Sequence, residues 1–423
     1  MTQPAANRFA QAFSNASFLA LARSYHLLVR GVFLYFLVAL LGKAQYGLYG
    51  YAQSWYLILA PLAVLGGNEL LINGFLRRPE SERDDFTGTA LSVRLVLGVP
   101  LTVLLMIIAL ATETDPEMRI LIMIFAQALW LRVLISFYSS LFVARGRSRD
   151  WVFYSMLFST VEALAIVWVA WRGSPLWFLA LAQILVLGAT LATAAWLSTR
   201  GYRRVAFRWQ RPIAVSFFRD GAVLGAATWL LLGIPSALVI AYKPLGNNLQ
   251  ELGTLALVAQ LLLILQQLIQ RVSNALLPAL DRPSKDSSGN LLVFAVWSTV
   301  LCVCTGGILC LVASPVAALL TAWLQNEAFG DALFLLADQA WIFIPMLEVQ
   351  ALRLAMIANG DAKGLLLATI AGAAGLVLGI SYLAMGNALS PSGSLASAGV
   401  SFGLIAVFQL SRIITVTRIR HRS

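Results

Sequence analysis

Long apolar runs alternate with short polar or charged stretches along the whole chain. Most of these runs are about 20 residues long, the length that an α-helix needs to cross the hydrocarbon core of a bilayer. Polar and apolar residues do not alternate within the runs, as they would in the strands of a transmembrane β-barrel. The pattern therefore predicts an all-α polytopic membrane protein.

About twelve transmembrane helices are predicted from the positions of the apolar runs. A further apolar piece, residues 314–327, is too short to cross the bilayer and is predicted to be an interfacial or partly re-entrant helix. The predicted spans cover approximately residues 18–42, 47–75, 88–111, 118–143, 152–171, 175–197, 216–242, 252–277, 290–313, 332–357, 364–386 and 395–416.

Composition and charge agree with a membrane protein. Hydrophobic residues make up 60% of the chain, charged residues only 12%, and the mean hydropathy is +0.81, which excludes an ordinary soluble globular protein. The net charge of +11 would suit a nucleic-acid-binding protein, but the positive charge lies in short loops between spans. That distribution is typical of the cytoplasmic loops of membrane proteins, so no nucleic-acid partner is expected.

The basic loops also predict an orientation. An even number of spans places both termini on one side, and five basic loops fall on that side, at 77–85, 145–150, 199–211, 281–286 and 418–423. Loops on the opposite side carry few cations, so both termini are expected in the cytoplasm. The N-terminus lacks a basic region followed by a cleavage site, and the first apolar run is therefore expected to be a retained span.

A weak internal repeat predicts two lobes. Leu41-Gly42 aligns with Leu245-Gly246, and Gly47 aligns with Gly253, on either side of a basic segment at the midpoint of the chain. Inverted or parallel repeats of this kind are common in transporters. We expect an N-terminal six-helix lobe at 1–198, a basic cytoplasmic linker at 199–213 and a C-terminal six-helix lobe at 214–423. The aromatic residues of the linker would suit an anionic membrane surface, and a plain basic loop explains them equally well.

Several ionisable residues lie inside predicted spans, where each costs about 2.5–3.5 kcal/mol at a helix centre. Arg23, His26 and Arg30 are spaced i, i+3, i+7 in the first span and so share one helical face. Three potential cations on one face would repel one another in lipid. We therefore predict that this face lines a hydrated cavity that receives an anion, with Arg30 nearest the middle of the span.

The deepest acidic residues are Glu162 and Glu348. Each has two interpretations, an internal ion pair with an arginine or a role in proton or cation coupling. Three other arginines, Arg94, Arg219 and Arg412, lie near the predicted cytoplasmic ends of their spans, where a long side chain can reach the headgroups.

Motifs for catalysis or metal binding are absent from the sequence. There is no phosphate-binding P-loop, no nucleophile elbow and no pair of histidines at metal-ligand spacing. The three cysteines, Cys302, Cys304 and Cys310, fall in one apolar run and are interpreted as packing residues. We expect no cofactor, no metal and no enzymatic activity, and favour transport.

Four stretches of the chain resemble a known family. They are "ALLGKAQYGLYGYAQSW", "LGNNLQELGTLALVAQLLLILQQLIQRVSNALLPAL", "SPVAALLTAWLQNEAFGDA" and "LRLAMIANGDAKG". Their order and spacing resemble the polysaccharide flippases (O-antigen or exopolysaccharide, Wzx-type) of the MATE-like multidrug/oligosaccharidyl-lipid/polysaccharide (MOP) exporter superfamily.

The resemblance implies a MATE-like inverted V of two six-helix lobes around a central cavity. It implies movement of undecaprenyl-pyrophosphate-linked oligosaccharide from the cytoplasmic to the periplasmic leaflet of the bacterial inner membrane. Related lipid II flippases hold the pyrophosphate with cavity arginines, and Arg23, Arg30 and Arg271 correspond to these in kind, with His26 beside them. Lipid II flippases usually have fourteen helices, so the twelve predicted here favour an O-antigen or exopolysaccharide flippase.

Two alternatives remain at this point. A cation-coupled multidrug exporter of the same superfamily would need buried carboxylates for its cationic substrates. An integral membrane polysaccharide polymerase or ligase would need a substantial outer loop, and the predicted outer loops are short. The expected partners of the flippase are the lipid-linked oligosaccharide, membrane lipid, H+ or Na+ as coupling ion, and polysaccharide polymerase machinery.

Overall fold

The computed structural model describes residues 5–200, 205–246, 248–280, 287–386 and 388–422, and within these it leaves the side chains of 5–23, 69, 270–280, 287–292, 358 and 417–422 undescribed. In this part of the chain all regular structure is helical, which confirms the all-α prediction. The helices are α1 Ala5–Val64, α2 Gly67–Arg77, α3 Glu80–Thr112, α4 Pro116–Ala144, α5 Ser148–Trp171, α6 Leu176–Thr199, α7 Arg211–Leu245, α8 Leu249–Leu280, α9 Ser287–Leu324, α10 Glu327–Asp338, a 3-10 turn Ala340–Ile342, α11 Phe343–Ala358, α12 Ala362–Met385 and α13 Pro391–Arg422.

Helix α1 consists of two arms that meet at Gly42, whose φ of 71° and ψ of 170° are not helical. This left-handed φ suits a residue without a Cβ atom. A straight helix would hold Tyr25 and Tyr56 about 46 Å apart at 1.5 Å per residue. Both nevertheless contact the neighbouring helices α5 and α4, so the chain reverses direction at Gly42.

The described residues contain 11 helices that are long and apolar enough to cross a membrane. The first of these, Ser24–Val64, includes the reversal at Gly42. When its two arms are counted separately, the number agrees with the predicted twelve spans. The prediction of a polytopic membrane fold is therefore confirmed.

Polar residues at the helix ends explain where several spans begin. Asp115 accepts a hydrogen bond from the Glu117 backbone N–H at 3.0 Å, with Pro116 at the first position of α4. Asn326 accepts from the Phe329 N–H at 3.1 Å at the start of α10. These contacts satisfy backbone donors that have no partner within the first turn of a helix.

Two predicted boundaries are wrong. Residues 314–324 continue α9 and do not form a separate interfacial helix, and Pro315 lies inside that helix. The break comes later, at Gln325, whose φ is 51°. The predicted span 47–75 is interrupted at Leu65 and Gly66, with φ of 47° and 61°, and α2 follows. Run length reports apolarity but not these backbone angles.

By its internal contacts the chain divides into two compact units. Unit 1 contains Met1–Leu40 and Trp55–Gly225, and unit 2 contains Leu41–Ser54 and Ala226–Ser423. The six-helix lobes bounded at 198 and 214 stay a prediction.

Aromatic packing forms the core of unit 1. Phe86 of α3 stacks on Phe217 of α7 with ring centroids 5.4 Å apart. Phe142 of α4 stacks on Trp151 of α5 at 5.6 Å. Such pairs stabilise helix contacts beyond the apolar area that they bury. Helix α4 packs against α2, α3, α5 and α6 and is therefore the central helix of this unit.

Small residues bring two helices of unit 2 into close contact. A Cβ atom on Gly47 would lie 2.7 Å from the Gly253 backbone nitrogen, and one on Gly50 would lie 2.7 Å from the Ala256 Cβ. The Gln260 side chain donates to the Gln53 carbonyl oxygen at 3.0 Å along the same contact. Close approach through small residues is typical of transmembrane helix pairs. The glycines that the sequence aligns as repeat equivalents thus pack against each other.

The described part of the basic linker, residues 205–210, packs on α3 in unit 1. Arg208 forms a salt bridge with Asp85, and its carbonyl oxygen accepts a hydrogen bond from Ser92 Oγ at 2.8 Å. A Cβ atom on Gly88 would lie 2.5 Å from the Ala206 carbonyl oxygen. The linker is therefore held by specific contacts with the helix beside it.

Candidate functional site

The cationic face predicted on the first span lies against α5 within unit 1. Tyr25 Oη and Thr160 Oγ1 share a hydrogen bond of 2.6 Å. His26 Nε2 lies 3.3 Å from Ser155 Oγ. Arg30 is half-buried. The structure thus connects this face of α1 to polar side chains of α5, while the anion-binding role of the face stays a prediction.

Two residues of the predicted anion site, Arg23 and Arg271, lie outside the described side chains.

Glu162 of α5 lies at the centre of a cluster of three polar side chains, which we call the ion-pair cluster: Arg132, Glu162 and Gln183. Arg132 Nη2 of α4 is 2.7 Å from Glu162 Oε1. Gln183 Nε2 of α6 donates to the same oxygen, also at 2.7 Å. The internal ion pair that the sequence offered as one interpretation of Glu162 is thus present.

An aromatic ring completes the surroundings of Arg132. Its guanidinium carbon lies 5.8 Å from the centroid of the Tyr56 ring, and Tyr56 itself stacks on Phe125 with centroids 5.7 Å apart. A cation over an aromatic face is favourable. The Tyr56 ring beneath Arg132 is held in place because it is buried and stacked on Phe125.

The ion-pair cluster and the cationic face are neighbours. Ser155 and Glu162 are seven residues apart, so they lie on the same side of α5, and His26 and Arg30 likewise share one side of α1. Since His26 meets Ser155, the cationic face of α1 contacts the side of α5 that carries Glu162.

Glu348, the other predicted coupling residue, lies in unit 2 on the side of α11 that faces α9. Its Oε1 accepts a hydrogen bond from Thr299 Oγ1 at 3.1 Å. The side chain is half-buried. Glu162 and Glu348 therefore belong to different units, and each is described only within its own.

Arg94 does not reach toward the membrane surface, contrary to prediction. Helix α3 begins at Glu80, so Arg94 lies about four turns inside the helix, and only 3% of it is exposed. Its Nη2 donates to Asn68 Oδ1 at 2.7 Å and its Nη1 to the Val133 carbonyl oxygen at 3.3 Å. Polar groups of the protein, and not headgroups, contact this charge.

The other two arginines with predicted access to headgroups have acidic partners. Arg219 Nε lies 2.9 Å from Asp220 Oδ1, and Arg412 Nε lies 2.8 Å from Asp361 Oδ2. Both side chains are substantially exposed. Exposed pairs of this kind contribute little to stability, so neither arginine is a strong candidate for a site.

Sequence reasoning missed several members of the candidate site. The sequence analysis assigns no role to Arg132, an arginine inside the predicted fourth span, nor to Ser155, Thr160 and Gln183. A glutamine or serine in an apolar run is a weaker signal than a charge, because it costs less to insert. Inspection of all polar residues on the faces of the fifth and sixth spans would have found them.

Chemistry beyond binding and ion pairing has little support in the described residues. No group of three His, Cys, Asp or Glu side chains in that part of the chain could hold a metal ion. The three cysteines are free, and they range from the buried Cys302 to the exposed Cys304.

Comparison with known sequences identifies the family. The family described as "polysaccharide biosynthesis protein" matches residues 12–283, more than half of the chain. The protein belongs to this family. No curated protein sequence matches the chain. The resemblance inferred from the four sequence stretches is confirmed.

Solved structures show the same fold. The lipid II flippase MurJ in an inward closed conformation aligns with a TM-score of 0.67 and 11% identity, over 95% of this chain and 87% of its own. An inward-facing multidrug resistance MATE family transporter of the MOP superfamily aligns at 0.60 and 12%, over 97% and 99%. A MOP superfamily transporter from Pyrococcus furiosus aligns at 0.58 and 13%, over 96% and 95%. This member of the polysaccharide biosynthesis family is therefore a multi-pass membrane protein with the MATE-like fold.

Proposed function

We propose that the protein is a flippase that moves undecaprenyl-pyrophosphate-linked oligosaccharide across the membrane by alternating access. The observation that carries the proposal is the cationic face of α1, where His26 meets Ser155 and Arg30 lies half-buried on the same side. Membership of the polysaccharide biosynthesis family supports a glycan substrate. The fold that the chain shares with MurJ supports a lipid-linked one.

Arginine suits a pyrophosphate group because its planar guanidinium makes paired, charge-assisted hydrogen bonds with phosphate oxygens. In this proposal Arg30 is the principal ligand, and His26, Arg23 and Arg271 also bind the pyrophosphate. The polyprenyl tail stays in lipid while the polar headgroup passes through the protein. The glycan itself is left unspecified.

The proposed direction is from the cytoplasmic to the periplasmic leaflet of the bacterial inner membrane, with both termini in the cytoplasm. An inside-negative potential favours outward movement of an anion by about 2.3 kcal/mol per charge per 100 mV. Glu162 and Glu348 are the proposed sites of additional coupling to H+ or Na+. Delivery of the glycan to a polymerase in the periplasm would follow flipping.

The proposal is tested by replacing Arg30 with Gln in a strain that lacks the chromosomal gene. We expect surface glycan, measured by gel electrophoresis and glycan staining, to fall strongly with Arg30→Gln. Arg30→Lys should retain part of the activity, because it keeps the charge but not the paired hydrogen bonds. Full glycan export by Arg30→Gln would contradict the proposed site.

The matched control is Arg219→Gln, which removes an exposed arginine that pairs with its neighbour Asp220. It should leave export unchanged. Immunoblots of membrane fractions must show equal amounts of each variant. In the same strains, drug susceptibility should not change, and a loss of drug resistance in place of glycan export would favour the multidrug exporter.

A further inference from the structure

The ion-pair cluster of unit 1 is more open than a structural ion pair inside a membrane protein needs to be. Arg132 keeps 37% of its side chain exposed and Glu162 keeps 21%. An ion pair that only stabilises packing is expected to be enclosed and fully hydrogen-bonded, because removing charges from water is costly. Part of each side chain is therefore not covered by protein atoms of unit 1.

Arg132 and Gln183 both donate hydrogen bonds to Glu162, but they differ in how accessible they are to another ligand. Gln183 is buried, with 2% of its surface exposed, and its amide holds Glu162 Oε1 at 2.7 Å. Arg132 holds the same oxygen at the same distance but stays accessible. If Arg132 turned away, the carboxylate would keep the Gln183 hydrogen bond. Arg132 can therefore change partner while Glu162 keeps one hydrogen-bond donor.

Charged or titratable groups from two neighbouring helices contact α5. Arg132 of α4 forms the ion pair with Glu162, and His26 of α1, on the face that it shares with Arg30, contacts Ser155; Gln183 is the neutral contribution of α6. A phosphate-binding site assembled from such cations would carry uncompensated charge whenever it held no substrate. An uncompensated charge within a membrane is expensive, and in the structure Glu162 compensates the charge of Arg132.

We infer that Arg132 is a further anion ligand of the translocation site, and that Glu162 occupies its guanidinium while no substrate is bound. The inference rests on the proposed function and names a residue and a ligand class for that same site. A pyrophosphate presents the same two-oxygen geometry to a guanidinium as a carboxylate does. The incoming anion replaces the Glu162 carboxylate on Arg132, and Gln183 retains the displaced carboxylate. When the anion leaves, Arg132 and Glu162 form the ion pair again, so the charge of Arg132 is compensated in the empty site.

The test measures binding of farnesyl pyrophosphate, a short prenyl pyrophosphate, to purified full-length protein in detergent by calorimetry. Arg132→Gln should weaken binding by about tenfold or more, the effect of one charge-assisted hydrogen bond. Glu162→Gln keeps the shape and a partner for Gln183 but removes the competing carboxylate. It should therefore tighten binding, by up to about tenfold.

The double variant Arg132→Gln/Glu162→Gln guards against misfolding, because it leaves no unpaired carboxylate. It should bind as weakly as Arg132→Gln alone, since Glu162 acts through Arg132 in this mechanism. Equal loss of binding in Arg132→Gln and Glu162→Gln, or no change in either, would overturn the inference and leave a structural ion pair.

These outcomes are separable from failure of the proposed function. Weaker binding by Arg30→Gln together with unchanged binding by both ion-pair variants would contradict only the role of Arg132. Absence of binding in the wild type and in Glu162→Gln would contradict the role of Arg132 and the pyrophosphate substrate together. Binding that becomes measurable only in Glu162→Gln would support the inference directly.

Discussion

Buried glutamines in unit 2 differ in whether their amides are satisfied. Gln53 and Gln260 form a buried hydrogen bond of 3.0 Å. Gln266, Gln350 and Gln409 are at most 1% exposed, and both amide atoms of each lack a hydrogen-bond partner among the side chains that the structure describes. A buried amide without a partner destabilises the fold, whereas a paired one contributes modestly. The same residue type therefore has opposite effects at different positions.

Substitution by methionine, which has nearly the same shape, should separate the two cases. Gln53→Met removes the acceptor of Gln260 and is expected to lower stability by about 1 kcal/mol. Gln409→Met removes an unsatisfied amide and should leave stability unchanged or raise it. Thermal unfolding of the purified protein in detergent measures both. Destabilisation by Gln409→Met as large as that by Gln53→Met would show that the Gln409 amide is satisfied after all.

Among the helical elements, the contact of the second arm of α1 with α8 depends most on glycine. A Cβ atom on Gly253 would overlap the carbonyl group of Lys43, and one on Gly47 would lie 2.7 Å from the Gly253 nitrogen. Backbone atoms cannot move aside as the end of a flexible side chain can. An added methyl group must therefore separate the two helices and stretch the hydrogen bond between Gln53 and Gln260.

We expect Gly253→Ala to lower stability by about 1–3 kcal/mol, the effect of overpacking a tight contact. The matched control is Gly307→Ala, inside α9, where a Cβ atom would meet nothing within 4 Å. That substitution should be neutral or slightly stabilising, because alanine favours a helix over glycine. Apparent melting temperatures in one detergent allow the comparison, and equal melting temperatures for the two variants would contradict the importance of the contact.

The helical type of the elements and the number of membrane spans could be predicted from the sequence, because both depend on the length of apolar runs. The break at Leu65 and Gly66 could not, nor could the continuation of α9 to Leu324. Each depends on how single residues pack against neighbouring helices, and the apolarity of a run does not determine that packing. The same limit explains Arg94, whose partner Asn68 lies on another helix.

The candidate site, like the fold, could be predicted only in part. Spacing alone placed His26 and Arg30 on one face, since a helix fixes that relation. The partner Ser155 and the cluster of Arg132, Glu162 and Gln183 depend on which helices pack together, so no single stretch of sequence reveals them.

At the scale of the whole molecule, arginine–tryptophan contacts at the helix ends of unit 1 predict where the edges of a bilayer lie. Arg172 lies over Trp168 at 5.3 Å at the end of α5, and Arg200 lies over Trp196 at 3.7 Å at the end of α6. Both tryptophans are about half exposed. Aromatic belts of this kind form at both membrane interfaces. Helix α6 contains 24 residues and is about 36 Å long, so its two ends match the two interfaces.

The charges of the loops predict which side of the membrane each loop faces. The loop after α2 belongs to the basic side, whereas the loop before α4 carries the acidic sequence "ETDPE". Translocation across the inner membrane disfavours clustered cations in short loops far more than acidic residues. We therefore expect Ser81 in the cytoplasm and Thr114 in the periplasm, and both residues are exposed.

Single cysteines test this orientation in a background where Cys302, Cys304 and Cys310 are replaced by alanine. A membrane-impermeant maleimide added to intact cells should label Thr114→Cys. It should label Ser81→Cys only after the inner membrane has been permeabilised. The reversed pattern would place the basic loops outside, and a lipid-linked substrate assembled in the cytoplasm would then have to enter the protein from its acidic side. Because the proposed export direction depends on this topology, the labelling experiment should precede every transport assay.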